Sequence, residues 1–172
     1  VYKRQYIRGS ITISMMIFAL TIACMANLPG NISRDRESGL LAKLKSMPIS
    51  PWNDFLGRLL GLLLFSVLTS IIVLLTGILC GAQFNGDIYD ILISIGFILL
   101  IIIASSGIGL IIGTFIKSVN GSVMIGVGIS VVTSSISGLF VPFNMLPEIL
   151  QIFAKYYPIS FSNSVIIYLL IG

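Results

Sequence analysis

Four stretches of this chain, residues 11–28, 59–80, 91–116 and 119–140, contain no charged residue at all. A helix needs about 20 mostly apolar residues to cross a hydrocarbon core, and each run is of that order. The charged residues fall in short clusters between the runs and make up only 9% of the chain, against 56% apolar. A soluble domain carries about a quarter charged, so a water-facing surface cannot be built here and the chain belongs in a bilayer. No small-residue cleavage pattern follows the first run, which reads as a spanning helix and not a secretory leader. There is no His, and no Cys, Asp or Glu cluster lies within a span, which excludes a catalytic metal site. Cys24 and Cys80 each sit inside an apolar segment and are expected to pack, not to bridge.

The connections between the runs are unequal. The first, 31–58, holds Arg34, Arg36, Lys43, Lys45 and Arg58, and the third, around 116–119, carries Lys117 beside Asn120-Gly121, a turn signal. Parity puts these two on one side, and their positive charge marks that side as cytoplasmic. The opposite side has Asp87 and Asp90, then Glu148 and Lys155. Lys3, Arg4 and Arg8 fall there too, against the rule. Val1-Tyr2-Lys3-Arg4-Gln5 matches the translation of a sequencing-library transposon end, so residues 1–5 read as foreign, and two of the three opposing cations leave with them. The chain also stops inside an apolar run at 165–172, and the single transmembrane domain read over 6–172 is expected to be partial.

After the fourth run, Pro147 suits the first turn of a helix reaching about Tyr157, and Pro158-Ile159-Ser160 breaks it before a second apolar run. Pieces of about 10 to 14 residues are too short to cross. Segment 142–171, with Pro142, Pro147 and Pro158 at its corners, is therefore expected to form a re-entrant helical hairpin dipping into the outer leaflet, where protein or a wet cavity satisfies its backbone.

The first connection predicts a cytoplasmic helix over 33–50. Ser33 suits an N-cap, and Pro48 and Pro51 suit a stop. On a 3.6-residue wheel Leu40, Leu41, Leu44 and Met47 share one face, Lys43 and Lys45 flank it, and Glu37 stands one turn before Leu41. One reading lays this helix in the headgroup layer with its lysines toward anionic lipid. The other makes it a docking helix for a cytoplasmic partner, with Arg36, Glu37, Leu40, Leu41, Leu44 and Met47 at the contact. Ion-coupled carriers place charged residues within the bilayer, and none stands near the middle of a span here. Nor does the chain contain the glycine-rich phosphate loop that ends in Gly-Lys-Ser or Gly-Lys-Thr. Energy is thus expected from a separate ATPase; a channel, an uncoupled secondary carrier, or a membrane-anchoring assembly subunit are the alternatives.

Small residues recur at helical spacing. The fourth run carries Ser122, Gly126, Ser130, Ser134 and Gly138, and the third carries Ser105, Gly109 and Gly113. Such stripes let helix backbones touch and hydroxyls bond across helices. Thr133, Ser135 and Ser137 lie beside them and suit either packing or a polar path.

Two segments carry a family resemblance. Arg34-Asp35-Arg36-Glu37-Ser38-Gly39-Leu40-Leu41-Ala42-Lys43-Leu44-Lys45-Ser46-Met47-Pro48-Ile49-Ser50, followed by Gly57-Arg58-Leu59-Leu60, resembles the coupling segment of ABC type-2 exporter permeases. Ser137-Gly138-Leu139-Phe140-Val141-Pro142-Phe143-Asn144-Met145-Leu146-Pro147, then Tyr157-Pro158-Ile159-Ser160, is similar to that family's outer-face hairpin. The resemblance implies an all-α, polytopic helical bundle of six helices, of which 11–28 is the second and 119–140 the fifth, with the first and last missing here. It implies a homo- or heterodimer of permeases in the cell (inner) membrane, working with two ABC ATPase subunits that bind ATP and Mg, no cofactor in this chain, and no nucleic-acid partner. Glu37, Leu40, Leu41 and Leu44 would face the ATPase, and the second and fifth helices would border the path of a drug, lipid or glycan moving outward. The short loops look most like the compact bacterial multidrug-efflux permeases.

Overall fold

The computed structural model of the chain describes residues 2–40, 43, 46, 50–82, 84, 86–140 and 147–171. All regular structure among them is helical: α1 (Tyr2–Ile22), a π-helical turn (Ala23–Asn27), α2 (Leu28–Glu37), α3 (Pro51–Leu79), α4 (Ile88–Phe115), α5 (Val119–Ile136), α6 (Glu148–Tyr156) and α7 (Pro158–Ile171). Four helical stretches are long and apolar enough to span a membrane, and the chain is an all-α helical bundle of membrane type.

The first spanning stretch is longer than its apolar run. α1, the π turn and α2 make one continuous rod over Tyr6–Glu37, so Ser33, expected as an N-cap, lies inside a helix and is fully buried. The charges from Arg34 onward mark where the surroundings turn polar, not where the helix ends. Its end comes at Ser38-Gly39, where Gly39 takes φ +72° and the Ser38 amide donates to Arg34 O at 2.9 Å. A left-handed residue at this position is the common way to stop a helix. Likewise Asn120-Gly121 do not make the third turn. They lie in the first turn of α5, and Ile116 to Ser118 make the connection. α4 starts at a reciprocal cap between Asp87 and Asp90.

The rod is the axis of the bundle. Its span is 61% buried, against 17%, 33% and 22% for α3, α4 and α5, so the other helices arrange themselves around it. α1 packs on α3 and α7, while α2 packs on α4 and α5. Ile13, Ile17, Met25, Ile101, Ile159 and Ile166 form the main apolar core between them. α3 meets the bundle mainly through α1 and leaves Leu60, Leu64, Leu68 and Ile72 exposed, as a hydrocarbon-facing side requires.

Pro29 explains the π turn and the closest helix contacts. It has no N–H to offer the carbonyls one turn back, which widens the helix there. The Cys24 and Met25 carbonyls precede it by that distance, and glycines of α4 and α5 lie against both. A Cβ on Gly109 would stand 2.7 Å from Cys24 O, and one on Gly126 would overlap the Met25 carbonyl. A Cβ on Gly113 would be 3.0 Å from the Pro29 backbone. Gly128, two residues from Gly126 but on the open face of α5, has nothing within 4 Å.

Gly126→Ala is expected to cost about 1–3 kcal/mol through overpacking, whereas Gly128→Ala is neutral or mildly stabilising because Ala is the better helix former. Thermal unfolding in detergent checks this, and equal melting points for the two variants would mean that the α5 seam is not tight.

Candidate functional site

Four consecutive charged residues end α2, and three of them are tied to other helices. Asp35 Oδ2 lies 2.8 Å from Arg58 Nη2, and Arg58 Nε donates to Asp54 Oδ2 at 3.0 Å. The Asp54–Arg58 pair is one helical turn apart on α3, so one guanidinium joins the end of α2 to the beginning of α3. The Arg58 side chain is only 15% exposed, which gives its bonds more weight than a surface pair has.

Arg36 and Glu37 reach the connection between α4 and α5. Arg36 makes two long contacts, Nη2 to Thr114 O at 3.4 Å and Nη1 to Ile116 O at 3.5 Å. Glu37 Oε1 accepts from the Val119 amide at 3.1 Å. A cation thus sits on the carbonyl end of α4 and an anion on the amide end of α5, each at the pole of opposite sign. Ser118 occupies the N-cap position of α5 without a side-chain cap; Glu37 supplies the acceptor from another helix. Beneath them Ser33 Oγ donates to Ile116 O at 3.0 Å and lies 2.5 Å from Ser122 Oγ.

Of the residues expected at a docking contact, the structure therefore places Arg36 and Glu37 on the α4–α5 turn, and leaves Leu40 exposed. Leu41, Leu44 and Met47 lie outside the described residues. Segment 38–50 joins α2 to α3 in sequence, and the Asp35–Arg58–Asp54 cluster fastens the helices on either side of it. Sequence reasoning missed Asp35, Asp54 and Arg58 as a unit; the i, i+4 spacing of the last two was the available signal.

The small-residue stripe of α5 faces the rod. Ser122, Gly126, Ser130 and Ser134 are all buried, Ser134 Oγ lying 3.3 Å from Thr21 Oγ1. Thr133 is half-buried and donates to Ile129 O at 2.8 Å, and Ser137 is buried and donates to Thr133 O at 2.7 Å. Gly138 follows with φ +78°, where α5 ends. On α4, Ser105, Gly109 and Gly113 are buried in the same way.

At the opposite end of the bundle, Pro147 is the N-cap of α6 and Pro158 the first residue of α7, while Pro142 lies outside the described residues. α7 is 14 residues long, about 21 Å at 1.5 Å per residue, short of the roughly 30 Å hydrocarbon core. It is wedged against α1 and α4: Ser14 Oγ donates to Asn163 Oδ1 at 3.4 Å, and Phe97 meets Phe161 at 6.1 Å between ring centres. Arg8 Nη1 donates to Cys80 O at 3.2 Å at this same end. The Tyr157 hydroxyl, between the two short helices, is buried.

Among the described residues no group of His, Cys, Asp or Glu could hold a metal ion. The arrangement is mechanical: the charged end of the rod holds α3, α4 and α5 at one end, and the short helices wedge its other half. A family model described as ABC-2 type transporter matches residues 2–171. No curated protein and no solved structure matches the chain.

Charge-assisted bonds of this kind contribute about 1.5–3 kcal/mol each, so Arg58→Gln should destabilise the bundle by that order. A double-mutant cycle with Asp35→Asn, read by denaturant or SDS titration, should return a coupling of about 1 kcal/mol. A coupling near zero would mean that the ion pair does not hold α2 to α3.

Proposed function

The chain belongs to the ABC-2 type transporter family, and from that premise we propose that it is the permease subunit of an ATP-driven exporter. A separate ABC ATPase, which binds ATP and Mg, docks on segment 38–50 through Leu40, Leu41, Leu44 and Met47. Two copies, or this chain with a related one, enclose a path through which a drug, lipid or glycan moves outward. The side bearing Glu37 faces the cytoplasm, and α6 and α7 form the outer re-entrant hairpin.

The observation that carries this reading is the fastening of both helices that flank segment 38–50. A force applied there reaches α3 through Arg58 and the α4–α5 connection through Arg36 and Glu37. Energy released in a soluble partner must enter the membrane through some rigid connection, and such a junction is suited to that role. The lack of charged residues near the middle of the spans supports the same reading, because proton- and ion-coupled carriers use such residues. Arg36 and Glu37 act as positioning residues within the permease, and the leucine face beyond Gly39 makes the contact with the ATPase.

Leu41→Asp should abolish co-purification with the ATPase while leaving membrane insertion and melting temperature unchanged. An intact complex would remove the docking assignment. Cysteine placed at Glu148 should be labelled by an impermeant maleimide from outside the cell and cysteine at Lys43 only from inside; the reverse pattern would invert the topology.

A further inference from the structure

The rod and α3 do not pack along their whole length. Near the Glu37 end they part to leave a cleft of about 510 Å³, lined by Asn27, Asn31 and Arg34 on one side and by Arg58, Gly61 and Phe65 on the other, over Leu28 and Leu62. The spacing 27, 31, 34 puts the two amides and the cation on one helix face, and 58, 61, 65 does the same on α3. Gly109, Gly113 and Gly126 mark backbones in contact, but a Cβ on Gly61, which lines the cleft, would meet nothing within 4 Å. Here the missing side chain keeps a space open.

The polar groups lining this space are underused. Among the described residues the side chains of Asn27, Asn31 and Arg34 have no hydrogen-bond or ion-pair partner, and all three residues are exposed. Asn27 lies about 15 Å along the rod from Glu37, a depth at which an amide facing bare hydrocarbon is costly. Asp35 and Asp54 hold Arg58 from outside the cleft and offset the charge of both guanidiniums, so Arg34 is the one cation of the described lining with no carboxylate bound to it. Arg58 still has Nη1 outside both of its carboxylate contacts. The described lining thus holds two guanidiniums and two amides and no carboxylate at its polar end, and is apolar at Leu62 and Phe65.

We propose that this cleft holds the headgroup of an anionic phospholipid from the leaflet at the Glu37 end. The phosphate lies against Arg34 with Arg58 and the asparagine amides as donors, and an acyl chain follows Leu62 and Phe65. Basic pockets between membrane helices recognise anionic headgroups in this way, and a guanidinium is suited to phosphate. The site goes beyond the export reading and does not depend on how transport is energised.

Native mass spectrometry of the full chain in detergent tests this, with phosphatidylglycerol and phosphatidylcholine of identical acyl chains supplied at equal concentration. Phosphatidylglycerol adducts should exceed phosphatidylcholine adducts about tenfold, because both offer the phosphate but only phosphatidylcholine brings a choline cation beside Arg34. Arg34→Gln and Gly61→Leu should each remove that excess, and Lys117→Gln should keep it. Gly61→Leu fills the cleft without altering a charge, and as a better helix former than Gly it should melt no lower than the unaltered chain, so its loss of lipid is a loss of the site. Equal retention of both lipids, or an excess that survives both variants, overturns the proposal. Displacement of the lipid by inorganic phosphate at equal concentration overturns the assignment to a lipid.

Discussion

Where Pro29 withholds its N–H, the first helix widens into a π turn, and the backbones of α4 and α5 come down on that turn through Gly109, Gly113 and Gly126. In hydrocarbon there is no hydrophobic drive to bring helices together, so contact depends on how closely backbones can approach. Glycine permits the closest approach, and the three glycines gather α4 and α5 at one height on the rod. The buried serines above and below continue the same seam. Ser33 bonds to the α4–α5 connection and Ser134 lies against Thr21, so two ends of one stripe are tied to one helix.

Charge does the corresponding work at the Glu37 end. Arg36 and Glu37 are neighbours in sequence, yet they answer the carbonyl end of α4 and the amide end of α5, two poles of opposite sign only a few residues apart. Asp35 takes Arg58 on the other side of the rod. A single turn of helix thereby joins three others. In the proposed transport cycle this is the place where motion of a soluble partner enters the membrane domain, and the proposed lipid cleft lies beside it.

The spans were legible because each is a long run without charge, which only a bilayer accommodates; the boundaries of α4 and α5 fell within a few residues, while the first helix runs well past both ends of its apolar run and α3 starts at Pro51, eight residues before its own. The two short helices after Pro147 were legible from proline and length. The helix start expected at Ser33 was wrong for a definite reason: a serine followed by charged residues looks the same whether it begins a new helix or lies buried beneath another helix's end. Asn120-Gly121 misled in the same way, since a turn-forming pair also fits the first turn of a helix that is capped from outside. The stripe Ser122, Gly126, Ser130, Ser134 was read as either packing or path, and its burial against the rod was decided by which face α5 turns inward.

By itself the sequence determined that this is a helical membrane protein with four spans and no charged residue near the middle of any of them, because apolar length and charge are properties of the chain alone. The resemblance carried by residues 34–60 and 137–160 pointed to the ABC-2 transporters. Only the tertiary structure decided that Asp35, Arg58 and Asp54 meet, that Arg36 and Glu37 serve the α4–α5 turn, and that the rod and α3 part to leave a cleft at Gly61. Those facts depend on helix rotation and on the height at which one helix crosses another. Both follow from the sum of contacts across the bundle, which no single segment encodes.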